Sequence, residues 1–205
     1  MKPVCHLRAP ILATALFFTI PRTASLPQEP PDPLAPLLDE LQEIRRQAGL
    51  EALERRVFDE INRIRRRKGL RRLRWHDELA AVSRAHSADM ADRSYFDHFS
   101  PEGRNPADRT TAAGIEFARI AENIEYNLNA PDPVLKAVQD WWDSPGHRAN
   151  IVAAEFSHTG VGLAVDAETG LYFTQLFMRP PAPEQDRSGG GNDEDAGIAA
   201  GIGYE

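Results

Sequence analysis

Residues 141–150 read WWDSPGHRAN, and the parsing of this stretch decides how the rest of the chain is read. Upstream, Asp132-Pro133 has the form of a helix start, a carboxylate to take free backbone amides and then a proline whose missing N–H costs nothing in the first turn. From there Val134, Val138 and one of Trp141 or Trp142 recur at helical spacing. Ser144, Pro145 and Gly146 stop that helix and open another, with serine as cap, proline in first position and glycine leaving room. His147 follows at once. The residues alone leave two readings of it: a ring that shields backbone behind the tryptophans, or a ring that faces a ligand.

The text on either side supplies elements for this turn to pack against. Leu53, Val57, Ile61 and Ile64 mark a helix ending near Lys68-Gly69, with basic residues in its last turn as the helix dipole favours. A second helix opens at Asp77, whose carboxylate is the expected cap, and its inner face carries Leu79, Val82, His86 and Met90. That position makes His86 a buried, hydrogen-bonded core histidine rather than a ligand. Late in the chain, HTGVGLAVDA and LYFTQLFM read as two strands joined around Glu168-Thr169-Gly170. In the first, Val161, Leu163 and Val165 alternate with Gly160, Gly162 and Ala164, and the second is apolar on both faces. Helices on both sides of a sheet satisfy that pattern.

Composition bounds the remainder. Residues 1–25 combine Lys2 and Arg8, an apolar run from Ile11 to Ile20 and small residues at Thr23-Ala24-Ser25, the layout of a secretory signal. The run is too short for a stable membrane span. A cut after Ser25 removes Cys5, the only cysteine, so no disulfide is expected. Residues 26–49 hold a proline-rich tether, LPQEPPDPLAP, and a short amphipathic helix with Leu34, Leu37, Leu38, Leu41 and Ile44 before Gly49. A core domain is expected over 50–180, and a disordered tail over 181–205, where prolines, a glycine triplet and acids leave little to bury. The chain carries a formal net charge of −7 and becomes more acidic once Lys2, Arg8 and Arg22 depart, which argues against general binding to nucleic acid or anionic membrane. The run NRIRRRKGLRRLR at 62–74 has eight basic residues but no aromatic to stack a base, and reads as a solvated helix end.

Three polar clusters interrupt the helical and strand-like text: YFDHFSPEG at 95–103, AENI at 121–124 and WWDSPGHRAN. Their spacing fits no local ligand motif. Taken with HSADM at 86–90, ADR at 107–109, GVGLAV at 160–165 and YFTQLF at 172–177, they form an ordered text from about Phe58 to Met178. That text resembles the CAP superfamily of cysteine-rich secretory proteins, antigen 5 and plant pathogenesis-related proteins, and is most similar to its disulfide-free bacterial branch.

The resemblance implies an α+β fold, a three-layer α-β-α sandwich with a central antiparallel sheet flanked by helices, and a cleft presenting two histidines and two acids. His98, Glu122 and His147 match three of these. The fourth departs, because Ser144 stands where relatives place a glutamate after the helix tryptophan, with Asp143 just before it. Two imidazoles, His98 and His147, would hold Zn²⁺ or another divalent cation, with Glu122 as ligand or orienting partner. Gln175 is expected to hydrogen-bond toward the cleft, Asn123 to satisfy backbone in a loop, and Arg109 and Arg148 to hold bracing carboxylates. The implied function is a secreted binding module, in periplasm or medium, for a lipid, glycan or protein of the envelope or exterior. The alternative is a metal-dependent hydrolase with Glu122 as general base. Ser144 as nucleophile lacks a GxSxG elbow, and capping accounts for it.

Overall fold

The computed structural model describes residues 35–182, with side chains from residue 40 onward. The expected signal segment, most of the proline-rich tether and the tail from 183 lie outside the described residues.

Helix α1 (Ala35–Arg67) runs unbroken for 33 residues. The short helix expected before Gly49 and the first core helix are therefore one element. An interior glycine costs only about 1 kcal/mol relative to alanine, less than the packing of Val57, Ile61 and Ile64 against the sheet contributes. Residues 40–49 are all exposed, Leu41 and Ile44 among them.

The chain continues through β1 (Arg74–Trp75), α2 (Asp77–Arg93), α3 (Pro106–Ala112), β2 (Arg119–Asn127), α4 (Pro133–Asp143), α5 (Pro145–Val152), β3 (His158–Val165) and β4 (Leu171–Arg179). The cap of α2 is His76, whose Nδ1 accepts from the Leu79 amide at 3.3 Å, and not Asp77, which becomes the first helical residue. Asp132 caps α4 as expected, accepting from the Val134 and Leu135 amides. Helix α3 has a reciprocal capping box between Asn105 and Asp108.

The sheet order is β1-β3-β4-β2. The three long strands are antiparallel, and the two-residue β1 adds a parallel pairing to β3, making the sheet mixed. At the hairpin between β3 and β4, Thr169 takes a positive φ of 66° while Asp166 Oδ1 accepts from the Glu168 and Gly170 amides. One face of the sheet buries Val161, Leu163, Phe173, Phe177 and Ala121 against α1, α4 and α5. The other presents Leu176, Met178, Ile120, Ile124 and Tyr172 to α2. These are the three layers, α-β-α, and β2 is left as an edge strand of the sheet.

Candidate functional site

The site is built on that edge. Successive strand residues point to opposite faces, so Glu122 and Asn123, adjacent in AENI, brace opposite sides of β2. Glu122 points toward the α2 layer and is almost fully buried. Its Oε1 accepts from His98 Nδ1 at 2.8 Å and its Oε2 from Arg109 Nη2 at 2.6 Å. Burying a carboxylate is costly unless it is paired and hydrogen-bonded, and here both oxygens are engaged. Arg109 also donates from Nη1 to the His98 carbonyl (2.8 Å) and the Arg104 carbonyl (2.9 Å), fixing the loop that carries His98.

Asn123 works on the opposite face, inside the strand and not in a loop after it. Its Nδ2 donates to the His147 carbonyl at 3.2 Å, and its Oδ1 accepts from Asn150 Nδ2 at 2.9 Å. Asn150 donates as well to the Glu122 carbonyl at 3.2 Å, and Trp141 Nε1 to the Ile124 carbonyl at 2.9 Å. The outer carbonyls of an edge strand are thus taken by side chains of α4 and α5, which seals the edge and seats the His147 turn. His98 arrives from one layer and His147 from the other, and their ring centroids lie 6.4 Å apart at 53°.

His86 sits behind this pair. Its Nε2 donates to the Asp97 carbonyl at 3.0 Å and lies 3.9 Å from Glu122 Oε1. Burial holds its pKa below the usual histidine value by disfavouring the imidazolium, with the Glu122 charge opposing and the Arg109 charge reinforcing that shift.

Other residues singled out in the sequence fall elsewhere. The Ser144 hydroxyl makes no capping hydrogen bond; its backbone does the work, the amide donating to the Asp140 carbonyl and the carbonyl accepting from the Arg148 amide. Gln175 is fully buried, paired in register with Asn123 on the same face of the sheet, and donates to Thr159 Oγ1 at 3.1 Å. Among the described residues, Arg148 pairs with no carboxylate. It donates to the Trp142 carbonyl at 2.9 Å and lies over the Trp142 ring. Asp143 is exposed and accepts from Gln139, leaving the missing second acid unreplaced.

Two residues that hold the turn carry little signal in the sequence. Asn150 is one more polar residue in a short helix. Arg65 is hidden in the basic run as one cation among eight, although its spacing from Ile61 and Ile64 puts it near the inner face. It is fully buried, donating to the carbonyls of Arg71, Ile151, Ala153 and Phe156, and so pins the far end of α5.

The model of the CAP family, described as the cysteine-rich secretory protein family, matches residues 58–177, more than half of the chain. The chain belongs to the CAP family. This CAP domain is 37% identical over 131 residues to the Bacillus subtilis protein YkwD, an alignment covering 64% of this chain and 49% of YkwD. Among solved structures, an extracellular Bacillus anthracis protein containing an SCP domain superposes with a TM-score of 0.56 at 33% identity, covering 63% of this chain and 41% of that one. An outer surface protein of Borrelia burgdorferi has the same fold, with a TM-score of 0.58 at 18% identity over 63% of this chain and 94% of its own. The chain thus spans about half or less of these two Bacillus proteins. Among the described residues, no helix is long and apolar enough to cross a membrane.

The side chains set the terms for a metal. A histidine that ligates usually donates its other N–H to a carboxylate, and the His98–Glu122 hydrogen bond has that form, with Nε2 as the atom that would ligate. Two rings on one tetrahedral zinc would have centroids about 5 Å apart, so His98 and His147 must close by about 1 Å. No group of three or more His, Cys, Asp or Glu suited to hold an ion occurs among the described residues, and both oxygens of Glu122 are already engaged by His98 and Arg109. The residues fit a shallow two-imidazole site completed by water, not a closed structural one.

Proposed function

We propose that this CAP domain is exported and works outside the cytoplasm as a binding module, with the cleft between His98 and His147 as its contact surface. A divalent cation, Zn²⁺ foremost, is the accessory that the two imidazoles would hold. The observation that carries this reading is the engagement of Glu122, whose two oxygens are committed to His98 and Arg109 in a buried ion pair. A carboxylate so placed orients an imidazole, and its burial keeps it from solvent, where a substrate water would stand. Phe96 and Phe99, on either side of His98 in sequence, are about half exposed and supply the aromatic surface that binding sites favour. The extracellular and outer-surface descriptions of the Bacillus anthracis and Borrelia proteins support export.

The hydrolase alternative has to change its base in this geometry. His98, held by Glu122 as a triad histidine is held by its acid, would take the proton. Two measurements separate the readings. Zinc titration by calorimetry should give saturable binding with a Kd of roughly 10⁻⁵–10⁻³ M, weakened at least about tenfold by either His98→Ala or His147→Ala. Metal uptake unchanged in both variants would remove the cation from the proposal. Turnover of generic peptide or ester substrates without added metal that disappears in His98→Ala would displace the binding module in favour of the hydrolase.

A further inference from the structure

The basic run at 62–74 is the motif that the candidate site leaves unused. Arg63 pairs with Glu60, and Arg65 is buried against main-chain carbonyls. Arg66, Arg67, Lys68, Arg71, Arg72 and Arg74 are all exposed, and among the described residues none of them enters an ion pair. No acid stands in the sequence between Glu60 and Asp77. Helix α1 ends inside the run, Gly69 takes a φ of 72°, and the chain turns back into β1, so these cations crowd one corner of the domain. We propose that the acidic stretch Asp193-Glu194-Asp195 of the same chain docks on this corner and screens it.

A groove continues the patch. Between α1 and α4 lies a space of about 520 Å³ lined by Ile64, Val138, Trp142 and half-exposed Leu135, and Arg67 and Lys68 belong to its wall. Lys68 Nζ is 5.1 Å from the centroid of the Trp142 ring, joining the charged surface to the apolar one. The sequence beyond the domain has the complementary order. Residues 183–205 carry six acids against one arginine, three of the acids consecutive at 193–195, and the stretch AGIAAGIGY that follows is uncharged and holds Ile198 and Ile202. Acids followed by aliphatic side chains match cations followed by an apolar groove. Opposite charge supplies the attraction, and the groove takes Ile198.

The corner and the exit of the chain from the domain lie at the same end of the sheet. Arg179, the last residue of β4, pairs with Glu155 at 3.3 Å, and Arg65 near the end of α1 donates to the carbonyls of Ala153 and Phe156, on either side of Glu155. A glycine-rich chain of eleven residues, the number from 183 to 193, has an end-to-end distance of roughly 17–20 Å and reaches at most about 36–40 Å. Tethering holds the acids at an effective concentration on the order of millimolar. An outside polyanion has no such advantage, and a chain of net charge −7 repels it at long range. The surface uses neither His98 nor His147, so the inference stands apart from the metal reading.

The test is paramagnetic broadening in the full chain. A nitroxide is attached at Ala196→Cys in a Cys5→Ser background, and ¹H–¹⁵N spectra are recorded at about 20 mM and about 500 mM NaCl, between which the Debye length falls from roughly 20 Å to 4 Å. At low salt the amides of 66–74 and the Trp142 indole N–H should broaden at least about threefold more than the amides of the hairpin at 166–170, and the excess should vanish at high salt. Neutralising the acids together, Asp193→Asn, Glu194→Gln and Asp195→Asn, should remove the excess at low salt. Reversing two exposed cations, Arg71→Glu with Arg72→Glu, should remove it from the other side while leaving thermal melting unchanged. No excess at low salt, or an excess that survives neutralisation of the acids, overturns the proposal. Excess broadening that appears only when label and ¹⁵N are on different molecules assigns the contact to a second copy and overturns docking within one chain.

Discussion

The two faces of the sheet hold their helices by different means. On the α1, α4 and α5 face, the contact is made by large apolar side chains, Val57, Ile61, Trp141, Phe173 and Phe177, all fully buried. On the α2 face, backbone approaches backbone. A Cβ added at Gly160 would lie 2.2 Å from the Ala80 amide nitrogen, and one added at Gly162 would lie 2.0 Å from that of Arg84. Ser83 and Ser87 donate across this gap to the carbonyls of Gly160 and Gly162. A face filled by side chains yields gradually when atoms are removed, because neighbours relax into part of the space. A face set by backbone contact has no such latitude for added atoms. The candidate site sits where the two meet, at the edge of β2, so its histidines inherit their positions from both.

The sharpest way to break this comparison is a single methyl group. Gly162→Ala should cost more than about 4 kcal/mol and abolish cooperative folding, because the clash is with helix backbone and cannot be relieved by a side-chain rotation. Gly49→Ala, where nothing lies within 4 Å of the new Cβ, should instead stabilise by about 0.5–1 kcal/mol. Denaturant unfolding of both variants reads the result. A Gly162→Ala protein that folds with near-normal stability would show that α2 can ride outward, and the distinction between the faces would be lost.

The next largest effect lies on the apolar face, at its polar exception. Arg65→Met keeps the aliphatic stem and removes the guanidinium, leaving the Arg71, Ile151, Ala153 and Phe156 carbonyls without that donor. The expected loss is about 3 kcal/mol, with amide exchange accelerated first in α5 and the segment leading into β3. Uniform acceleration across the domain would mean that Arg65 serves the core as a whole and not the His147 helix.

Which features can be read from sequence follows the same division. The helices and strands that bury apolar side chains at regular spacing are legible: Val57, Ile61 and Ile64 in α1, Leu79 and Met90 in α2, Val134 and Val138 in α4, and both strands of the late hairpin. Strand β2 is not, because RIAENIEYN puts polar residues on both faces, Glu122 toward one layer and Asn123 and Glu125 toward the other. An edge strand whose polar groups brace two loops shows no alternation to detect. Gly49 misleads for the opposite reason, since a local preference against helix is outweighed by packing further along the same helix. For the site, resemblance to the family singles out His98, Glu122 and His147 for one cleft, and the backbone brings them together. The partners that set their roles, Arg109 on Glu122 and Asn150 on Asn123, depend on contacts across the sheet edge that no local pattern encodes.

The smallest predicted effect concerns Glu125, the other polar intrusion on the apolar face. It lies between β2 and α4, and its pKa is pushed up to about 8, first by burial and then by its hydrogen bond to Asp140 and the charge of that group, with Lys136 opposing. An unfolded glutamate titrates near 4.5, so the folded state binds this proton more tightly. Its contribution to stability is therefore fully present below pH 4.5 and is lost as pH rises from there to about 8, beyond which both states are ionised. Glu125→Gln keeps a neutral hydrogen-bond donor toward Asp140 and does not titrate. The variant should match the parent near pH 4 and exceed it by about 1 kcal/mol above pH 8, a figure reduced for the partial exposure of the group. Thermal or urea unfolding across that range reads the difference. Parallel pH profiles for the two proteins would mean that Glu125 is ionised in the fold, and that the α4 side of the sheet tolerates a charge that its apolar packing would otherwise exclude.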